Sequence, residues 1–166
     1  MVNRIGAGAL LAGLLVLVPA CGSDSSPTED RGEASISATI NGVAWSVSAP
    51  FASSQHNAGG GIFTLTAVDP AQSYGLAITL SEFTGSGTYE IRAGFPLRMA
   101  VVTVGAGTGW GTEYSEVPGT ISITSFGNDR ARGTFSFTAE PSPSSEQTGT
   151  LTVVNGQFDV PVIPVG

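Results

Sequence analysis

The sequence predicts an all-β protein: an antiparallel β-sandwich of about nine or ten short strands, with a closed antiparallel β-barrel as the alternative. Three observations carry that prediction. Apolar residues alternate with Ser and Thr in short runs, the period of a strand with one buried face. The runs are separated by Asn-Gly, Asp-Pro and Gly-rich stretches, which favour turns. No stretch after the first twenty residues shows a helical period of credible length, and only 11% of the chain is charged while 23 residues are glycine.

The chain opens on a segment of another kind. Met1-Val2-Asn3-Arg4 carries one basic side chain, and Ile5 to Val18 is apolar or glycine throughout. A charged start, an apolar stretch and small residues at its end are the build of a secretory signal peptide. The apolar run is shorter than the roughly 20 residues a membrane-spanning helix needs. Val18-Pro19-Ala20-Cys21 then resembles the bacterial lipobox, with Pro19 an uncommon residue inside it. That resemblance implies cleavage after residue 20 and a lipid on the Cys21 thiol. Cys21 is the only cysteine, so the folded part has neither a disulfide nor a thiol nucleophile.

The expected organisation is a leader over 1–20, a lipidated cysteine and disordered tether over 21–33, and one β-sandwich domain over 34–166. Gly22 to Glu33 holds no apolar side chain that could fix it in a core. With Arg4 removed, five arginines face thirteen acids, a net charge of −8, and there is no lysine. So acidic a chain is a poor partner for nucleic acid or for an anionic lipid surface.

The domain begins with a hairpin. Ile36, Ala38 and Ile40 alternate, Asn41-Gly42 makes the turn, and Val43, Trp45 and Val47 alternate again. Ala49 to Gly61 is a polar, Gly-rich stretch expected to be a loop. Strands are expected over 62–68, 74–81 and 88–92, followed by a more continuously apolar strand over 97–104, covered on both faces. Gly105 to Gly111 is expected to be a flexible loop, with a short strand over 112–115. Gly119 to Phe126 and Arg130 to Ala139 form a second strong hairpin, with Phe135 and Phe137 on one face. A last hairpin is expected to turn at Asn155-Gly156. Pro161 and Pro164 lack backbone donors, which places the final strand at a sheet edge.

Ile40 to Trp45, Gly87 to Tyr89, Gly119 to Thr124, Gly133 to Ala139 and Asn155 to Val160 occur in that order. This series resembles an uncharacterised family of bacterial lipoproteins known only as a domain of unknown function. The resemblance spans nearly all of the mature domain. Its motifs are hairpins and core strands, so it implies a fold and carries no catalytic residue across.

The residues that bear chemistry are few. A Ser-His-acid site has only His56 to build on, and no Gly-x-Ser-x-Gly elbow exists. Zinc has one histidine and one lipidated cysteine, which cannot start a site. Gly105-x-Gly107-x-Gly109 lacks the following helix that a dinucleotide loop requires. Asp69, Glu113, Glu116, Asp129 and Asp159 fall at strand ends or turns, without the spacing of a calcium loop, and read as solvated carboxylates. Arg130 and Arg132 share a strand face and should pair with acids across the sheet.

Trp110 and Tyr114 flank Glu113 beside the Gly-rich loop, a combination that can stack on a sugar ring and accept its hydroxyls. They are the candidate ligand-binding residues. The expected function is therefore a non-enzymatic binding or surface-structural module. It would be held to the membrane by the lipid on Cys21, at the outer membrane or cell surface. No cofactor or metal is expected, a glycan or protein is the ligand class, and the chain is expected to be a monomer. The alternative from another class is an envelope hydrolase or isomerase that uses carboxylates. A membrane-spanning barrel is disfavoured, because the aromatic girdles and tall lipid-facing band are missing.

Overall fold

The computed structural model describes residues 32–166 apart from 72–73, 106–108 and 128. The leader, Cys21 and nearly all of the expected tether lie outside the described residues. Eleven strands follow in chain order: β1 Ser35–Ile40, β2 Val43–Ser48, β3 Ala52–Asn57, β4 Ile62–Asp69, β5 Tyr74–Leu80, β6 Gly87–Ile91, β7 Arg98–Val104, β8 Trp110–Gly111, β9 Gly119–Phe126, β10 Arg130–Pro141 and β11 Leu151–Pro164. Among the described residues the only helical element is a 3-10 turn over Thr112–Tyr114. It occupies the place of the short strand expected there. The all-β prediction holds.

The strands run β2-β1-β11-β3-β4-β5-β7-β8-β10-β9-β6, with a further β10–β11 pairing. The long strands β10 and β11 take part in two layers. Over most of their length they sit at the centre of one layer, with β1 and β2 on one side and β9 and β6 on the other. At their C-terminal ends they cross into the second layer, where β11 pairs with β3 and β10 with β8. The result is sandwich-like, with hydrogen-bonded corners.

The core lies between the layers. Phe63, Leu65, Ile78, Leu80 and Val102 of the second layer are fully buried, as are Ile36, Ile121, Val153 and Val160 of the first. Within each strand they stand at alternate positions, because alternate side chains point to the same face; Val153 and Val160, seven residues apart, share it only because β11 is irregular between them. Phe135 and Phe137 are buried as their alternation requires, with ring centroids 6.3 Å apart. Asn41 and Gly42 both have positive φ, 47° and 82°, and turn β1 into β2 with Ile40 opposite Val43.

Several finer expectations are corrected. Part of the polar stretch 49–61 is a strand, β3, which hydrogen-bonds to β4 on one side and β11 on the other. Its backbone is paired and Ser54 is buried, its Oγ donating to the Pro161 carbonyl at 2.9 Å. Ser, Gln, His and Asn there follow from backbone pairing, which side-chain hydrophobicity does not report.

Asn155-Gly156 does not turn the chain. It lies inside β11, where the registers to β1 and to β10 both slip by one residue, a β-bulge. Val154 and Asn155 are exposed in succession, and the extra residue resets the phase so that Val153 and Phe158 both face the core. The final strand is accordingly not an edge. Pro161 sits just beyond the last β1 pair, at Asp159, where β11 leaves β1 and has no ladder donor to supply. The β11–β3 pairing is also parallel, so the sheet is mixed. Finally, β7 has one buried face; its outer residues Val101 and Thr103 remain half-buried rather than covered.

Candidate functional site

Trp110, Glu113 and Tyr114 do not form an exposed binding loop. Trp110 lies in β8, between β7 and β10, with 8% of its surface exposed. Its Nε1–H donates to the Gly149 carbonyl at 2.8 Å, so the indole is packed and satisfied. A Cβ at Gly109 would overlap the Val102 carbonyl, and one at Gly111 would overlap the Glu113 carboxylate. Those glycines permit close approach, which is how a Gly-rich stretch comes to hold a buried tryptophan. Glu113 folds back over Gly111, and its Oε2 is buried without a hydrogen-bond partner. Tyr114 alone is open, at 43% exposure. The 3-10 turn is fixed by Thr112, whose buried Oγ1 accepts the Ala100 N–H at 2.9 Å.

His56 is on β3 rather than in a loop. Its ring meets Phe83 and Phe126 edge-on, with centroids 5.4 and 5.0 Å apart. Phe63, Phe83 and Phe126 complete this aromatic cluster at one corner. Asp69 accepts the Ala71 N–H at 2.9 Å in a turn. Among the described residues, no group of three His, Cys, Asp or Glu side chains could hold a metal ion. No described helix is long and apolar enough to cross a membrane.

A different constellation assembles on the outer face of the first layer. Arg130 and Arg132 alternate with Ala131 and Gly133, so their side chains point away from the core. The β10–β11 register puts Asp159 directly opposite Arg132. Arg132 Nε donates to Asp159 Oδ2 at 2.9 Å, and Arg130 Nε donates to Oδ1. Burial pushes the Asp159 carboxyl up, but the two guanidinium hydrogen bonds and charges outweigh it and hold the group below its ordinary value. Arg130 keeps a buried Nη2 with no partner.

The surrounding surface is concave. A depression of about 250 Å³ is lined by Arg132, Asp159, Gln157, Thr134, Thr124, Ser35 and Ser37, together with Gly133 and Phe158. A second, of about 500 Å³, shares Thr134 and Gln157 and runs along the bulge past Val154, Asn155, Thr120 and Ser136. Two guanidiniums on one carboxylate leave local positive charge on an otherwise acidic protein, beside a strip of hydroxyl and amide groups. Such a strip can both donate to and accept from a polyhydroxyl ligand. The sequence placed the two arginines on one face but could not name their partner, which needs the β10–β11 register. The strip was hidden by the assignment of Asn155-Gly156 to a turn.

A family model described as a domain of unknown function, DUF6252, matches residues 32–161. No curated protein and no solved structure matches the chain.

Proposed function

The chain belongs to the DUF6252 family, and from its own chemistry we propose that it is a lipid-anchored, non-enzymatic binding module of a bacterial cell envelope. In this reading Cys21 carries the lipid, the acidic stretch after it spaces the domain from the membrane, and the outer face of the first layer takes the ligand. The ligand is a glycan. The observation that carries the reading is the Arg130–Asp159–Arg132 cluster, of which Arg132 and Asp159 line a hydroxyl-rich depression. Asp159 is engaged by both arginines, which suits it to orient donors rather than to act as a free base. Glycan hydroxyls would meet Thr134, Gln157 and Thr124, and an acidic sugar would meet the exposed guanidinium of Arg132.

The test is a glycan array probed with the full chain carrying Cys21→Ala, against the same chain with Arg132→Ala as well. Arg132 is exposed, so its loss should leave thermal unfolding nearly unchanged while binding falls at least tenfold. No glycan retained, or retention indifferent to Arg132, would overturn the ligand assignment. Cleavage of a retained glycan would favour the carboxylate hydrolase instead. The anchor is tested separately, by loss of palmitate incorporation in Cys21→Ala.

A further inference from the structure

We propose that β2 is a docking edge at which a second copy of this chain pairs, strand to strand, extending the first layer across a two-fold axis. Among the described residues the layer ends in two strands, β2 and β6. An edge strand offers unpaired backbone donors and acceptors, and proteins commonly guard such edges with charges, prolines or bulges. β6 is guarded: it carries Glu90, whose carboxylate lies 3.7 Å from the Arg92 guanidinium. β2 is not. Its sequence, Val-Ala-Trp-Ser-Val-Ser, has no charge and no proline, and its register to β1 is unbroken over all six residues.

The absence of charge extends well beyond the strand. From Ala34 to Val68 the chain has no Asp, Glu, Lys or Arg, although the protein as a whole is strongly acidic. Four large apolar side chains in this span are exposed: Val43 at 63%, Phe51 at 48%, Ile62 at 39% and Val68 at 50%. Phe51 and Val68 are neighbours, the Val68 N–H donating to the Phe51 carbonyl at 3.0 Å just beyond the end of β2. An uncharged edge flanked by apolar side chains fits another uncharged edge. Among the described residues the edge of that description is β2 itself.

The geometry of the hairpin sets the register. Because Asn41-Gly42 is a two-residue turn, Val43, Trp45 and Val47 hydrogen-bond to β1, and Ala44, Ser46 and Ser48 present their N–H groups outward. Two antiparallel copies centred on Ser46 place Ser46 against Ser46 and Ala44 against Ser48, whose carbonyl already accepts the Phe51 N–H at 3.0 Å, so the ladder rests chiefly on the Ser46 pair. These side chains are small and exposed on the outer face, so nothing repels or clashes there.

Disulfide trapping tests the contact. Residues facing each other in a hydrogen-bonded antiparallel pair have Cα atoms about 5.5 Å apart, within disulfide reach. Ser46→Cys in the full chain carrying Cys21→Ala, mildly oxidised, should run mostly at twice the chain mass. Thr88→Cys on β6, in the same Cys21→Ala chain, should stay mostly at the single-chain mass. Light scattering of the chain carrying Cys21→Ala should give a two-chain mass that Ser46→Lys reduces to one without lowering the melting temperature. Association should strengthen as salt rises from about 0.02 to 0.5 M, because two acidic bodies repel less when screened. A single-chain mass at every concentration, or equal trapping at positions 46 and 88, would overturn the proposal. So would trapping to a chain of another mass, which would mean that the edge takes a different strand.

Discussion

Asn-Gly occurs twice, and the two copies do opposite things. Asn41 and Asn155 have nearly the same backbone, φ 47° and 55°. After Asn41 comes Gly42 at φ 82°, with nothing within 4 Å of where a Cβ would stand. There the glycine is needed for its conformation, and the chain reverses. After Asn155 comes Gly156, which is buried, and a Cβ there would overlap the Phe135 ring and its carbonyl. There the glycine is needed for its size, and the chain runs on as a bulged strand. The dipeptide permits positive φ at both places. What decides between turn and bulge is whether a neighbouring strand lies on each side, as β1 and β10 do around Gly156.

The largest effect tests the same distinction at Trp110. If glycines 109 and 111 marked looseness, Trp110→Ala would cost almost nothing. They mark close approach, so the substitution should cost about 3–5 kcal/mol, matching Phe137→Ala. Both variants should lose roughly 10–20 °C in melting temperature. A loss confined to Phe137→Ala would restore the loose-loop reading of this segment.

Gly156→Ala comes next, at about 2–3 kcal/mol, since overpacking a close contact strains both partners. Phe135→Ala alone should cost about 3–5 kcal/mol. The double variant should lose less than the sum of the two, because removing the ring opens part of the space a Cβ needs; the carbonyl remains in the way. Strict additivity in chemical denaturation would show that Phe135 is not what excludes a side chain at 156.

Much of the fold was legible because side-chain alternation is local. Ile121, Ile123, Phe135 and Phe137 announced their strands and their core face without any tertiary information. β3 was not legible, since its Ser, Gln, His and Asn are held by backbone bonds to strands far off in sequence. The candidate site was half legible. Arg130 and Arg132 share a face by spacing alone, whereas their convergence on Asp159 depends on a register that the bulge helps to set. Trp110 was misplaced for one reason: glycine reads as freedom in a sequence, and as proximity in a packed sheet.

Gly42→Ala should cost about 1–2 kcal/mol, the strain of an L side chain held at positive φ. It meets no neighbour, so replacing Phe135 should leave that cost unchanged, in contrast to Gly156→Ala. Coupling between Gly42 and Phe135 would erase the difference between the two Asn-Gly sites.

The smallest effect concerns pH, on the stretch of β11 that the bulge delivers. Asp159 stands three residues after Gly156, and its carboxyl is held below its ordinary value in the folded state by Arg130 and Arg132. A lowered folded-state value means that the unfolded chain binds the proton more readily, so stability rises with pH through this range. The contribution is fully present above the ordinary aspartate value of about 3.9 and is lost as pH falls through the lower folded-state value. Asp159 is 36% exposed, so solvent screening limits the pair energy to a few tenths of a kcal/mol. Asp159→Asn should therefore flatten the acid limb of melting temperature against pH only slightly, and leave the neutral region almost level. Gly42→Ala should lower the whole curve without changing its slope, because that turn holds no titrating group. A steeper acid limb in Asp159→Asn would reverse the sign and show that Asp159 is not stabilised as a carboxylate.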